Sequence, residues 1–287
     1  MTRPLRPASG ALLAALIALG GTAQAQAFHP GPKIGPPPAQ KAGAVDPRLA
    51  AAIASPDRPA ADKARDVFRH PAQTLAFWGL RPGMTVVDLQ PGGGYWTYIL
   101  APYLKATGGR YIAGGSERGR AGFMAKFGDG LKFGKVEYVV FDKSAGPVLP
   151  AGSVDMVITS RELHNWIGGG YFDRAMKASF DVLKPGGIFA VEEHRADPKP
   201  QLPDAGNGYV AVKTAVDGAR RAGFRFEDAS EINANPRDTK DYPFGVWTLP
   251  PTRTSTEEGK PPLSAADRAK DDAIGESDRM TLRFRKP

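Results

Sequence analysis

The amino-acid sequence predicts an α/β protein in which seven strands form a mostly parallel sheet, with helices on both faces and an antiparallel last strand. Two patterns predict this fold class. Short apolar, β-branched segments alternate with helical segments along most of the chain, as in a parallel sheet that is covered on both sides. The two final strand segments, in contrast, have no convincing helix between them, which is the expected ending when a parallel sheet finishes with an antiparallel pair.

The order of the elements follows from these patterns. Residues 55–80 predict two helical segments that are broken at Pro71, and residues 95–104 predict the helix after the first strand. The connection at 233–279 is rich in Pro, Thr, Asp and Lys, and it predicts a long insertion without a helix. The predicted strands are Thr85–Leu89, Arg110–Ala113, Val136–Phe141, Val154–Thr159, Ile188–Glu193, Phe224–Ile232 and Met280–Phe284.

The N-terminal residues predict export. Residues 1–25 contain two arginines, then an apolar run, then small residues at alternate positions, as in a cleavable secretory signal. The apolar run is too short to span a bilayer, so no membrane span is expected after cleavage. Residues 26–45 are rich in proline and predict an extended tether. We therefore expect a periplasmic or secreted protein with one folded domain at 46–287.

Composition narrows the possible functions. The chain has no cysteine, which excludes disulfides, a thiol nucleophile and cysteine-ligated metal. The net charge is +8, but the basic residues are interleaved with acidic ones rather than clustered in runs. No nucleic-acid partner is therefore expected. The Gly-x-Ser-x-Gly motif of serine hydrolases does not occur. The expected partner is a small molecule, and the oligomeric state stays open.

The sharpest chemical signal ends the first strand and precedes a helix. It reads Asp88-Leu89-Gln90-Pro91-Gly92-Gly93-Gly94. Glycines at such a turn let the backbone approach a ligand closely, and the start of the following helix presents unpaired N–H groups. Similar turns bind dinucleotides and phosphates, although the Gly-Lys-Ser/Thr ending of a phosphate-binding loop is missing here. The segment therefore predicts a ligand site at the end of the first strand.

At this turn the sequence resembles the class I S-adenosylmethionine (SAM)-dependent methyltransferases, whose first motif reads Asp-x-Gly-x-Gly-x-Gly. The resemblance extends over residues 75–232, with a last strand near 280, and implies a Rossmann-like fold. Residues 233–241 and 275–280 resemble a subgroup of exported bacterial predicted methyltransferases of unknown substrate. The further segments that match the family in order and spacing are Val136–Asp142, Ser153–Ile158 and Val182–Gly187.

This resemblance implies a cofactor, SAM, and the residues that bind it. Asp142 would flank the adenine of SAM. Two positions depart from the family pattern, because Gln90 replaces the first glycine and the usual acid after the second strand is absent. Glu117 is the candidate to replace that acid at the ribose. The residues that would line the methionine and ribose part are Asp88, Gly92, Gly93 and Gly94.

Histidine and carboxylate side chains follow the fourth and fifth strands. Ligands of open α/β sheets bind at the carboxyl ends of the strands, so His164, Glu193 and His194 are expected to face the reacting group. His164 is the first candidate for a general base, and Glu193 with His194 is a second pair that could act as base and orienter. A histidine in such a turn also serves as a helix cap, and this alternative stays open.

Two further expectations concern the same edge of the sheet. Glu193 and His194 could also bind a divalent cation together with Asp142 and His164, but their spacing has no pattern of metal ligands, so no metal is predicted. Tyr242, Phe244 and Trp247 lie in the polar insertion and predict a lid over the pocket.

The expected function is SAM-dependent methylation of an unidentified small molecule outside the cytoplasm. The alternative is a non-catalytic Rossmann-like binding protein that has lost or changed the cofactor.

Overall fold

The computed structural model describes residues 45–287 of the chain. The predicted signal at 1–25 and the predicted tether up to residue 44 lie outside the described residues. In the described part, none of the helices has the length and apolar character needed to cross a bilayer.

Seven strands form one sheet in the order β3-β2-β1-β4-β5-β7-β6. The strands β1 to β5 pair in parallel, and β7 is antiparallel to both of its neighbours, β5 and β6. This arrangement confirms the predicted fold class. The strands are β1 (Thr85–Leu89), β2 (Arg110–Gly115), β3 (Val136–Val140), β4 (Val154–Ser160), β5 (Leu183–His194), β6 (Arg225–Ser230) and β7 (Arg279–Arg285).

Helices occupy most of the connections between strands, and their bounds are as follows. They are α1 (Pro47–Ala54), α2 (Ala60–Lys63), α3 (Asp66–Arg69), α4 (Pro71–Trp78), α5 (Thr97–Thr107), α6 (Glu117–Phe127), α7 (Gly130–Phe133), α8 (Leu163–Gly168), α9 (Phe172–Val182), α10 (Val212–Ala222) and α11 (Ala265–Ile274), with a 3-10 helix at Gly245–Thr248.

The two faces of the sheet are covered by different helices because side chains alternate along each strand. In β1, Val86 packs with the apolar residues of α1, α4 and α5, while Val87 and Leu89 pack with those of α8, α9 and α10. A fully buried tryptophan anchors each face, Trp78 on the first and Trp166 on the second. Each such burial stabilises the fold by roughly 2–3 kcal/mol.

Two element predictions are corrected by the structure. Residues 55–80 contain three helices, not two, and Pro71 begins α4, where its missing N–H is not needed. The insertion at 233–279 contains α11, a ten-residue helix capped by Ser264, whose hydroxyl accepts the N–H of Asp267. None of the residues of α11 is buried, so its sequence lacks the apolar face that would have predicted it.

The strand order determines where in the sheet a ligand site is expected. The order reverses between β1 and β4, and ligands of such sheets bind outside the carboxyl ends of the strands at this point. Because β7 runs antiparallel, its amino end lies at the carboxyl end of β5, with Arg279 opposite His194. Residues 276–278, just before β7, therefore lie at the same edge of the sheet as the carboxyl ends of β1, β4 and β5.

Candidate active site

The glycine turn, residues 90–94, has a backbone that favours glycine at two positions. Gly92 and Gly94 have φ angles of 53° and 87°, in the left-handed region. A Cβ on Gly94 would lie 2.2 Å from the ring of Phe127, so only glycine fits there. A Cβ on Gly92 or Gly93 would meet no atom within 4 Å, which leaves open space for a ligand against the turn.

Gln90, which replaces the first family glycine, keeps the conformation that a glycine would have. Its φ angle is 54°, and its backbone N–H donates to the carbonyl of Gly114 at 2.6 Å. The side-chain Oε1 accepts a hydrogen bond from the indole N–H of Trp166 at 2.6 Å. The buried tryptophan thus holds Gln90 in a conformation that non-glycine residues rarely adopt.

Asp88 is a buried carboxyl at the end of β1. It accepts one side-chain hydrogen bond, from the Tyr111 hydroxyl to Oδ2 at 2.8 Å. Burial raises the pKa of Asp88 to about 7, because this single donor offsets only part of the lost hydration. Asp88 therefore changes charge near neutral pH and can either donate to or accept from a ligand.

A cavity of about 60 Å³, here called the turn cavity, lies against the glycine turn. Its walls include Asp88, Gly92, Gly93, Tyr95 and Trp96, and three arginines, which are Arg65, Arg69 and Arg161. Tyr95 and Trp96 are buried and make an edge-on ring contact at 5.1 Å. They are thus core residues that also form one wall of the cavity.

A second depression of about 410 Å³ continues from the other side of the same turn, and it includes Ser116, Lys126 and Tyr138. Glu117 is not among its lining residues. The exposed Glu117 carboxylate instead pairs with Arg120 at 2.8 Å within α6.

Asp142 lines neither the turn cavity nor the second depression. Its Oδ1 accepts hydrogen bonds from the Ser144 N–H and hydroxyl and from the Ala145 N–H, so it stabilises its own turn. The roles predicted for Asp142 and Glu117 stay predictions.

His164 and Glu193 form a buried pair at the ends of α8 and β5. His164 Nδ1 lies 3.1 Å from Glu193 Oε1. The same carboxylate accepts the backbone N–H groups of Leu163 and His194 at 2.6 and 2.7 Å. Although burial opposes it, the Glu193 charge raises the pKa of His164 above its ordinary value. Glu193 is thus the orienting group, and its ring partner is His164 rather than His194.

His194 is held separately. Its Nδ1 hydrogen-bonds the Ser277 hydroxyl, and its ring lies 5.6 Å from that of His164. Burial, together with the positive charges of His164 and Arg161, lowers the pKa of His194 well below its ordinary value. His194 is therefore a neutral ring beside a more basic one.

His164, Glu193 and His194 lie close enough to offer a metal one atom each, all within 4.8 Å of one another. The hydrogen bonds of Glu193 weigh against this use, because its two oxygens already accept four N–H groups, among them the backbone N–H of His164 at 3.3 Å.

The two histidines line a cavity of about 180 Å³, here called the histidine cavity. Trp247 of the 3-10 helix packs edge-on against His164, with ring centroids 5.8 Å apart, and Phe244, just before that helix, is buried. Arg161 and Glu162 line both this cavity and the turn cavity. The two cavities thus share a wall, and burial raises the pKa of Glu162 there to about 7.

Sequence reasoning missed a buried charge cluster behind this wall. Glu276 binds Arg65 and Arg69 at 2.7 and 2.9 Å, and it binds Arg279 at 3.0 Å. Arg279 also pairs with Glu192 at 2.8 Å. No motif signals these contacts, because Arg69 and Glu276 are 207 residues apart.

Comparisons with known proteins establish the fold. No protein-family model matches the sequence, and no curated protein matches it. A SAM-dependent methyltransferase from Aquifex aeolicus is similar in structure, with 17% identity, 82% of this chain and 97% of that chain covered, and a TM-score of 0.50. A second similar structure is a chain in the complex between the Haloferax volcanii Trm112 methyltransferase activator and a candidate methyltransferase. It has 16% identity, 84% of this chain and 98% of that chain are covered, and the TM-score is 0.50. The chain has the Rossmann-like fold of SAM-dependent methyltransferases.

Proposed function

We propose that this protein is a SAM-dependent methyltransferase that acts on a small molecule bearing a hydroxyl or amine. One observation carries the proposal: a cavity against the glycine turn shares a wall with a cavity that contains a carboxylate-oriented histidine. A methyl donor in the first and an acceptor in the second would meet at Arg161 and Glu162.

The residues at the turn fit the cofactor. Gly92 and Gly93 leave open space where any larger side chain would stand, and Asp88 offers a carboxyl beside it. When bound, SAM supplies a methyl group on a positively charged sulfur. The chain's own task is to align the acceptor and remove its proton.

His164 is the proposed base. Glu193 engages Nδ1, which leaves Nε2 as the ring nitrogen available to the histidine cavity. Nε2 would accept the proton that the acceptor oxygen or nitrogen loses as it takes the methyl group, whose bond to the sulfur would break and leave S-adenosylhomocysteine. Glu193 stabilises the resulting imidazolium, and the proposal requires no metal.

The proposal also keeps the cellular location that residues 1–25 predict, outside the cytoplasm. Export would place the reaction in the periplasm or the medium. Cell fractionation of the full chain tests this location independently of the chemistry.

The decisive measurement is calorimetric titration of residues 26–287 with S-adenosylhomocysteine, the product form of SAM. We expect binding to the natural chain and at least about tenfold weaker binding to Gly93→Val, because the added side chain would occupy the ligand space. Gly130→Val is the matched control, since its Cβ also meets nothing and it lines no described cavity. Absence of binding, or equal binding by Gly93→Val, would contradict the proposal.

The alternative, a binding protein with a changed ligand, draws support from one observation. Glu117 pairs with Arg120, so no acid from the end of β2 reaches the second depression. A natural chain that fails to bind S-adenosylhomocysteine but binds another small molecule at the glycine turn would favour this alternative.

A further inference from the structure

Buried positive charge exceeds buried negative charge at the wall between the two cavities. Arg69 and Arg279 are almost fully buried, and Arg161 stands beside them in both cavities. The buried carboxylates that face them are those of Glu192 and Glu276. Three guanidinium groups therefore share two carboxylates, one of which, that of Glu276, also pairs with Arg65, although a buried charge without a partner is strongly destabilising.

The excess falls on Arg69 and Arg161. In Arg69, Nε donates to Glu276, while Nη1 and Nη2 are buried without a hydrogen-bond partner in residues 45–287. The Arg161 side chain has neither a hydrogen bond nor an ion pair to any described residue, and its Nε is buried. Burial and the nearby charge of Arg161 lower the pKa of Arg69 to about 9.

Other acids of the turn cavity do not supply the missing charge. Asp62 pairs with Arg65 at 3.1 Å. Asp88 and Glu162 line the cavity, but burial raises the pKa of each to about 7, so both are partly protonated at neutral pH. The acids that pair with the cluster are thus Asp62, Glu192 and Glu276, one fewer than its four arginines, and neither Asp88 nor Glu162 forms an ion pair with Arg69 or Arg161 in the described chain.

We propose that Arg69 and Arg161 form a binding site for a carboxylate group of a ligand in the turn cavity. A carboxylate can accept paired N–H groups from a planar guanidinium, and a cavity of about 60 Å³ has room for a group of that size. This inference rests on the proposed function for the ligand's identity. The carboxylate would belong either to the amino-acid tail of the cofactor or to the acceptor.

The first test compares two nucleosides that differ in the amino-acid tail. S-adenosylhomocysteine carries a carboxylate, and methylthioadenosine lacks the whole tail. In Arg161→Gln we expect about ten- to hundredfold weaker binding of S-adenosylhomocysteine and unchanged binding of methylthioadenosine. Arg161→Lys keeps the charge without the planar fork, so an intermediate loss is expected. Arg221→Gln, which removes an exposed arginine paired with Asp173, is the control.

Folding is monitored by the melting temperature of each ligand-free variant. Arg161 makes no side-chain contact with a carboxylate in the described chain, so Arg161→Gln should melt no lower than the natural protein. Equal binding of S-adenosylhomocysteine by Arg161→Gln and the natural chain would exclude the cofactor tail as the occupant.

The second test uses acetate and malonate as probes of the site alone. We expect both to raise the melting temperature of the natural protein and to leave Arg161→Gln unchanged. If saturating S-adenosylhomocysteine removes the effect, the carboxylate is that of the cofactor; if the effect persists, it is that of the acceptor. Equal responses of both proteins in both tests would overturn the inference. A natural chain that responds to acetate but binds neither nucleoside would instead contradict only the proposed function.

Discussion

At the residue scale, Glu193 controls both the orientation and the basicity of His164. Its Oε1 fixes Nδ1, and its charge raises the pKa of the ring. In Glu193→Gln we therefore expect the pKa of His164 to fall, so the rising limb of the pH–rate profile moves to lower pH. Loss of the orienting charge should also lower kcat by about 10- to 100-fold.

The comparison requires a measured methyl-transfer rate across pH and a control for simple charge loss. Glu137→Gln serves as that control, because Glu137 pairs with Arg110 on the surface and is remote from His164 in the sheet. A rate that falls while its pH midpoint stays fixed would show that Glu193 is only structural.

Asp88 gives a prediction for stability. The folded-state pKa of Asp88 is about 7, above its unfolded value near 4, so the folded protein retains a proton that the unfolded chain releases. The stabilisation that comes from keeping Asp88 protonated is fully present below pH 4, and it is lost as the pH rises to about 7. Between pH 4 and pH 8, the free energy of unfolding should therefore decrease in the natural protein relative to Asp88→Asn, by on the order of 1–4 kcal/mol.

Chemical denaturation of both proteins at the two pH values measures this difference. Glu162 titrates in the same range in both proteins, so its contribution cancels to a first approximation. A parallel pH dependence would assign the titration to another group.

Residues near strand ends were the predictable part of the site. Asp88 and the glycine turn follow β1, while His164 and Glu193 lie at the ends of neighbouring strands, so topology alone brings them to one edge. The partnership of Glu193 with His164 could not be predicted, because it depends on side-chain directions. The positive φ of Gln90 could not be predicted either, because its side chain is held by a hydrogen bond to Trp166, which is distant in the sequence.

At the element scale, β7 is the strand that links β6 to the rest of the sheet. It lies between β5 and β6, and its residues Met280, Leu282 and Phe284 are fully buried. Deletion of residues 279–287 should therefore prevent folding, since it removes two ladders and part of the core together. Circular dichroism and thermal unfolding would show a chain without a cooperative transition.

Deletion of Pro287 alone is the control for that experiment, because it leaves every pair of β7 intact. A shortened chain that still unfolds cooperatively would mean that the other six strands form a stable sheet without β7.

The elements with strong apolar patterns were predicted best. All seven predicted strands are confirmed, with ends that shift by up to five residues at β5. The failure at α11 has a physical reason, because that helix is stabilised by its Ser264 cap and by ion pairs such as Arg268–Asp272 at 3.1 Å rather than by an apolar face. Polar helices of this kind leave little periodic signal.

At the scale of the whole molecule, the fold was predictable and the charge cluster was not. A mostly parallel sheet follows from alternating helical and strand segments, which are local properties of the sequence. The contact of Arg69 with Glu276 joins α3 to the segment before β7, and a single sequence carries no signal for such pairings. Local sequence patterns therefore predict the edge of the sheet where ligands bind, but they do not predict the buried charges behind that edge.

The interior place of β7 also has a consequence for biosynthesis. Because β7 follows both of its neighbours in the sequence, β5 and β6 stay unjoined until residues 279–285 have left the ribosome. Glu276, which neutralises several arginines, arrives equally late. Under the proposed export, the polypeptide must remain unfolded while it crosses the membrane, and a sheet that needs β7 to join β5 to β6 cannot be completed before residues 279–285 are made.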